Sequence, residues 1–133
     1  MKQRIMKIEH IAFQVADPAA MADWYVKHLG FSVRRSSDEP VVARFMADLS
    51  GAVMLEVYRN PKVPVPDYAS MAPALLHVAF LCDDLPGTVD RLTAAGASLE
   101  SGPEILGEDE LAMLRDPWGL ALQLAKRKRA MIG

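Results

Sequence analysis

The 133-residue chain carries one short passage twice. Residues 10–17 read His-Ile-Ala-Phe-Gln-Val-Ala-Asp and residues 77–84 read His-Val-Ala-Phe-Leu-Cys-Asp-Asp, with four of the eight positions identical. The same offset of 67 aligns Leu55-Glu56-Val57 with Leu122-Gln123-Leu124, and Arg59 with Lys126. Leu29-Gly30 meets Ala95-Gly96 at an offset of 66, a one-residue slip in a loop. Self-similarity over this distance means one supersecondary unit used twice. The chain therefore reads as a single domain over 1–133 made of two modules, about 7–59 and 75–126. Between them the proline-rich segment 60–74 lacks periodicity and reads as an extended linker; a basic tail covers 126–133.

Both modules show the same order of signals, β-α-β-β-β. Residues 7–15 alternate, with Ile11, Phe13 and Val15 on one face and His10, Ala12 and Gln14 on the other. Asp17 then caps a helix with Pro18 at its first position, apolar spacing through Met21, Trp24, Tyr25 and Leu29, and Gly30 as its stop. Phe31–Arg35 reads as a strand, and 41–47 with 52–58 as a hairpin around Ser50-Gly51. In the second module the strands fall at 76–82, 97–100, 110–115 and 119–125, with a helix from Asp84 to Gly96 and a last turn at Asp116-Pro117-Trp118-Gly119. The expected fold class is α+β, two βαβββ modules forming a cupped mixed sheet.

Period two then locates the chemistry. On 52–58, Val53, Leu55 and Val57 share the face suited to the helix, and Met54, Glu56 and Tyr58 the other. On 119–125, Leu120, Leu122 and Leu124 are set against Ala121, Gln123 and Ala125. The face away from the helix carries His10, Glu56, His77 and Gln123, one candidate ligand in each of four strands, with Gln14 also on the face of His10. His10 precedes Glu56 by 46 residues, and His77 precedes Gln123 by the same 46. If the two sheets face each other about a pseudo-two-fold axis, the four side chains converge. Two imidazoles, a carboxylate and an amide oxygen suit Zn²⁺, Ni²⁺, Fe²⁺ or Mn²⁺ with coordination positions left open. Duplication alone also copies a structural histidine, so the repeat by itself leaves that reading standing. His28 has no repeat partner and reads as structural or exposed.

Composition narrows the partners. The net charge is −2 and the pI near 5.9, so no overall charge recruits nucleic acid or an anionic membrane. Lys126-Arg127-Lys128-Arg129 reads as a solvated tail. Cys82 is the only cysteine, so no intrachain disulfide forms, and its alternation with Val78 and Phe80 predicts a buried structural thiol. Residues 1–9 lack the apolar stretch of a signal peptide and no apolar run is long enough for a bilayer, so a cytoplasmic location is the default expectation.

At these residues the chain resembles the vicinal oxygen chelate superfamily, which includes glyoxalase I, extradiol dioxygenases, methylmalonyl-CoA epimerase and the fosfomycin and bleomycin resistance proteins. The resemblance rests on Ile8-Glu9-His10-Ile11-Ala12-Phe13, Trp24-Tyr25 with Leu29-Gly30-Phe31, Leu76-His77-Val78-Ala79-Phe80, and Arg115-Asp116-Pro117-Trp118-Gly119 running into Gln123. It implies the glyoxalase/bleomycin resistance/dioxygenase fold around a metal site, with His10, Glu56 and His77 as ligands. The fourth family position is most often Glu, and in glyoxalase I-like enzymes that carboxylate is both ligand and base. Here it is Gln123, which can offer its carbonyl oxygen but takes no proton at neutral pH. By the pseudo-symmetry, Glu56 is the carboxylate left to act as catalytic base.

These readings predict a metal-dependent lyase or isomerase acting on a small molecule that chelates the cation through adjacent oxygens. Ala12, Met54, Tyr58 and Ala121 would hold the substrate's apolar part, and Arg44 and Arg115 are candidate anion anchors. The alternatives are an extradiol-type dioxygenase, for which His10, His77 and Glu56 would form the facial set, a ligand-sequestering protein of the bleomycin-resistance kind without chemistry, and a relic whose metal is only structural. A homodimer is expected, because two small modules alone leave much sheet surface open.

Overall fold

The structure, a computed structural model, describes residues 4–132. The first three residues of the segment read for a signal peptide, and Gly133 at the end of the basic tail, lie outside the described residues. The chain divides into two compact units, Met1–Pro66 and Asp67–Gly133.

In the first unit, β1 (His10–Gln14) leads into α1 (Pro18–Leu29), followed by β2 (Ser32–Ser37), β3 (Val42–Ala47) and β4 (Met54–Arg59). The sheet order is β1-β4-β3-β2, with β1 parallel to β4 and the other pairs antiparallel. The second unit repeats the order: β5 (Val78–Leu81), α2 (Leu85–Ala94), β6 (Ser98–Leu106), β7 (Asp109–Arg115) and β8 (Ala121–Lys126), in a sheet β5-β8-β7-β6. The fold is thus α+β, two four-stranded mixed sheets each with one helix. The repeat offset is written into the pairing. Ala12 lies opposite Glu56 in the first sheet, and 67 residues on, Ala79 lies opposite Gln123 in the second.

The helices begin where the sequence says they should. The Asp17 side chain accepts from the Ala20 N–H at 3.1 Å, and the Asp84 side chain from the Gly87 N–H at the same distance, which satisfies donors that a helix start leaves without partners. Gly30 ends α1 at φ 72°, the left-handed cap. α1 lays Met21, Trp24 and Tyr25 on β3 and β4; α2 lays Leu85, Val89 and Leu92 against β6 and β7. These meet the branched face expected from period two, where Leu55, Val57, Leu122 and Leu124 are all buried. Each such large side chain contributes ~1.5–3 kcal/mol of burial.

Three stretches differ from expectation. The segment read as an extended linker contains a 3₁₀ turn at Tyr68–Ser70, with Tyr68 buried. β6 runs on to Leu106 past Gly102-Pro103 by bulging between Leu99, Ser101 and Glu104. The basic run is not merely solvated. Lys126 closes β8, Arg127 reaches Asp109 at 3.0 Å, and the Lys128 N–H bonds the other oxygen of the same carboxylate at 3.0 Å.

Two carboxylates carry a pH consequence. Hydrogen bonding from Arg115 holds Glu100 below the usual carboxylate range, and the Lys128 N–H, then Arg127, does the same for Asp109. A carboxyl that is more acidic in the folded state stabilises the fold above its unfolded pKa, about 4. That contribution is lost as pH falls through the lower folded value. Both groups touch solvent, so the effect is modest. The urea midpoint should fall on acidification below about pH 4, and Glu100→Gln with Asp109→Asn should flatten that fall; a slope unchanged in the double variant would refute the assignment.

Candidate metal centre

His10 opens β1 and Glu56 sits mid-β4, so the parallel pairing of these strands brings the two side chains onto one face. His10 Nε2 lies 3.6 Å from Glu56 Oε1, with the side chains 34% and 18% exposed. That spacing exceeds a hydrogen bond. It does match two donors on one ion: ligands at about 2.1 Å from a tetrahedral cation stand about 3.4 Å apart. The imidazole is held on its other sides as well. Its Nδ1 is 2.9 Å from Glu9 Oε1, and its ring stands edge-on to Phe45 at 5.1 Å and 86°. Phe45 lies opposite Glu56 across β3 and β4.

In the second unit His77 immediately precedes β5, and its Nδ1 is 2.8 Å from the Pro73 carbonyl. A carbonyl oxygen and a carboxylate only accept, so each histidine donates from Nδ1, and in a neutral ring that leaves Nε2 as the acceptor. An outer acceptor on the non-ligating nitrogen is the usual arrangement behind a metal-bound imidazole. Gln123 is half-buried on β8 between Ala79 and Met113. Gln14 contrasts with it. Its amide is spent on backbone, donating to the Asn60 and Val63 carbonyls at 2.7 Å and accepting from the Asn60 N–H at 2.9 Å.

Among the described residues no three His, Cys, Asp or Glu side chains gather closely enough to hold a metal ion. His10 and Glu56 are brought together in the first unit; His77 and Gln123 belong to the second. The chemistry of the pair fits a borderline divalent cation, and the acceptor oxygen behind each Nδ1 fits it too. Glu9, Phe45 and the Pro73 carbonyl went unassigned in the sequence, although Glu9 is adjacent to His10.

Several expected roles are corrected. Arg115 is no anion anchor: all five of its N–H donors are engaged, by the Glu100 carboxylate and by the carbonyls of Tyr68, Met71 and Gly119. Arg44 is likewise tied to the Ser37 and Ala43 carbonyls and to Asp38 at 2.9 Å. Ala121 is 2% exposed and lines nothing. Cys82 is half-buried rather than buried. Burial chiefly pushes its thiol up; a hydrogen bond with Thr88 opposes this, and the charges of Asp83, Glu110 and Asp84 add to it, so it stays protonated at neutral pH. A cleft of about 210 Å³ in the first unit is lined by Lys7, Glu9, Arg34 and Met54 among others, but by neither His10 nor Glu56.

With this geometry in hand, comparison with known proteins places the chain. Residues 7–124 match the sequence profile of the Glyoxalase/Bleomycin resistance protein/Dioxygenase superfamily, and the chain belongs to that family. Among its relatives, a probable lactoylglutathione lyase of Vibrio parahaemolyticus is 27% identical, covering 96% of this chain and 95% of that protein. The lactoylglutathione lyase of Escherichia coli O157:H7 is 25% identical over 94% of this chain and 96% of its own length. Similar solved structures include an antibiotic binding protein from Streptomyces sp. CB03234, with TM-score 0.73 and 20% identity over 96% of this chain and all of that one. A glyoxalase I mutant from Zea mays has TM-score 0.74 and 21% identity over 92% of this chain and 46% of that one. No helix among the described residues is long and apolar enough to cross a membrane.

Proposed function

We propose that the chain is a metal-dependent enzyme of the lyase or isomerase kind, in which His10, Glu56, His77 and Gln123 hold one divalent cation and Glu56 is the base. The observation that supports this most is the His10–Glu56 pair, its donor atoms 3.6 Å apart with the imidazole proton kept on the far nitrogen by Glu9. A bound cation would stabilise charge developing on two adjacent oxygens of a small substrate. The protein's own groups do the rest. Glu56 takes a proton from the carbon beside those oxygens and returns it. Gln123 contributes an oxygen without basicity. Half-buried Met54 and Tyr58 flank Glu56 on its strand face and receive the apolar part of the substrate.

The test is elemental analysis of purified protein, wild type beside His77→Ala. About one divalent ion per four-ligand set is expected, with most of it lost in the variant, since removing one ligand of four commonly costs orders of magnitude in affinity. Equal metal in both would remove His77 from the set. Turnover is assayed with the methylglyoxal–glutathione hemithioacetal, because relatives are named lactoylglutathione lyases. Gln123 favours a second reading, a protein that sequesters its ligand without chemistry. That reading requires ligand binding that persists after chelation of metal.

The protein is further proposed to act as a homodimer. β1 and β5 are edge strands, and Ile11 on β1 and Ile8 just before it are solvent-facing. Light scattering should give twice 14.6 kDa at micromolar concentration; the monomer mass across that range would refute it.

A further inference from the structure

We infer that Glu9 is a positioning residue for His10: it fixes the imidazole tautomer that a cation requires and places a second negative charge against the ligand set. This rests on the metal reading above.

Four observations converge on Glu9. Its Oε1 lies 2.9 Å from His10 Nδ1, and an ionised carboxylate only accepts, so the ring proton is drawn to Nδ1. Free neutral imidazole places its proton by small preferences, so one strong acceptor is enough to decide the matter. Glu9 is also anchored. Its backbone carbonyl accepts from the Met54 N–H at 2.8 Å, which fastens the residue to the start of β4 rather than leaving it on a loose arm. Phe45 stands edge-on to the ring, so the plane that Glu9 pulls on is already set. The charge count is the fourth. Of the four ligands only Glu56 is anionic, so a dication there keeps a net charge of +1. Glu9, one imidazole away, offsets it. His77 in the second unit has the neutral Pro73 carbonyl at its Nδ1, so the two histidines are oriented by groups of different charge.

Glu9 is 73% exposed, so it can be replaced without opening the core. The experiment compares wild type, Glu9→Ala, Glu9→Gln and Glu9→Asp. In metal-free, ¹⁵N-labelled protein at about pH 8, where a histidine is neutral, long-range ¹H–¹⁵N spectra report which ring nitrogen carries the proton. Zn²⁺ titration calorimetry at one fixed pH gives Kd. The expected result is that His10 shifts toward the Nε2–H tautomer in Glu9→Ala while His77 stays Nδ1–H. Zn²⁺ affinity should fall about tenfold. Glu9→Gln keeps an oxygen acceptor without charge and should fall between; Glu9→Asp should recover part of the loss. An unmoved His10 tautomer with unchanged Kd in Glu9→Ala overturns the role of Glu9 and leaves the metal reading intact. Zn²⁺ uptake by neither wild type nor variant overturns the metal reading and this inference with it.

Discussion

Gly119→Ala should unfold the protein at least about 10 °C earlier than wild type, on a loss of about 3 kcal/mol. Gly119 ends the turn between β7 and β8 at φ 93°, where an L side chain costs ~1–2 kcal/mol. A Cβ there would also stand 2.7 Å from the backbone N and Cβ of Ala69, and 2.8 Å from its Cα. Ala69 is the middle of the 3₁₀ turn, and that turn cannot retreat. Arg115 binds the carbonyls on both sides of it, Tyr68 at 3.1 Å and Met71 at 2.9 Å, while also binding the Gly119 carbonyl at 3.1 Å. Overpacking against clamped backbone adds ~1–3 kcal/mol. Gly107 is the control. Its φ is 63° and a Cβ there meets nothing within 4 Å, so Gly107→Ala should show the backbone strain alone. Thermal melts of the two variants separate strain from crowding. Equal shifts would mean that the Gly119–Ala69 approach carries no cost.

That turn also marks a limit on what the sequence discloses. Asp116-Pro117-Trp118-Gly119 is legible as a turn, and Asp116 Oδ1 does accept from the Trp118 and Leu120 N–H groups at 2.9 and 3.0 Å. Its partner, the 3₁₀ turn at Tyr68–Ser70, is not legible. It is held by a guanidinium 44–47 residues away rather than by local periodicity. The modules themselves were plain because each signal is local. Caps, helix stops and period-two faces depend on neighbours a few residues apart, and duplication states them twice. Strand ends moved by a few residues where pairing, not composition, decides. β6 is the extreme case, an edge strand exposed along its whole length with no buried face to betray it.

The site divides in the same way. That His10 and Glu56 share one face was readable because strand alternation gives the face and the repeat gives the spacing. What holds His10 was not: Glu9 is its chain neighbour, and alternation would send adjacent side chains to opposite faces. At the start of an edge strand the carboxylate instead bends back to Nδ1. Arg115 failed for the opposite reason. An arginine near a site-bearing strand invites a ligand role, and only the full count of its five donors shows them spent within the unit.

Exchanging the two oxygen-bearing ligands should separate charge from basicity, with the largest effect on activity expected of any variant. In the proposed ligand set the wild type would carry −1, all of it on Glu56. Glu56→Gln makes the set neutral and removes the base together, so it should lose metal and lower any turnover by about 10²–10⁴-fold. Taken alone, that loss is ambiguous. Gln123→Glu raises the set to −2, which should tighten metal retention. It also supplies a carboxylate from the second unit, so turnover of the methylglyoxal–glutathione hemithioacetal, weak or absent in wild type, should rise by about 10²-fold. The double variant Glu56→Gln/Gln123→Glu restores −1 and should keep metal near the wild-type level. Its base now comes from the other unit, so a reaction that wild type runs through Glu56 should not return. Metal content and turnover measured on all four proteins decide the matter. Robust wild-type turnover that survives Glu56→Gln would show that the base lies elsewhere. Metal lost equally from the single and double Glu56 variants would show that position, and not charge, governs retention.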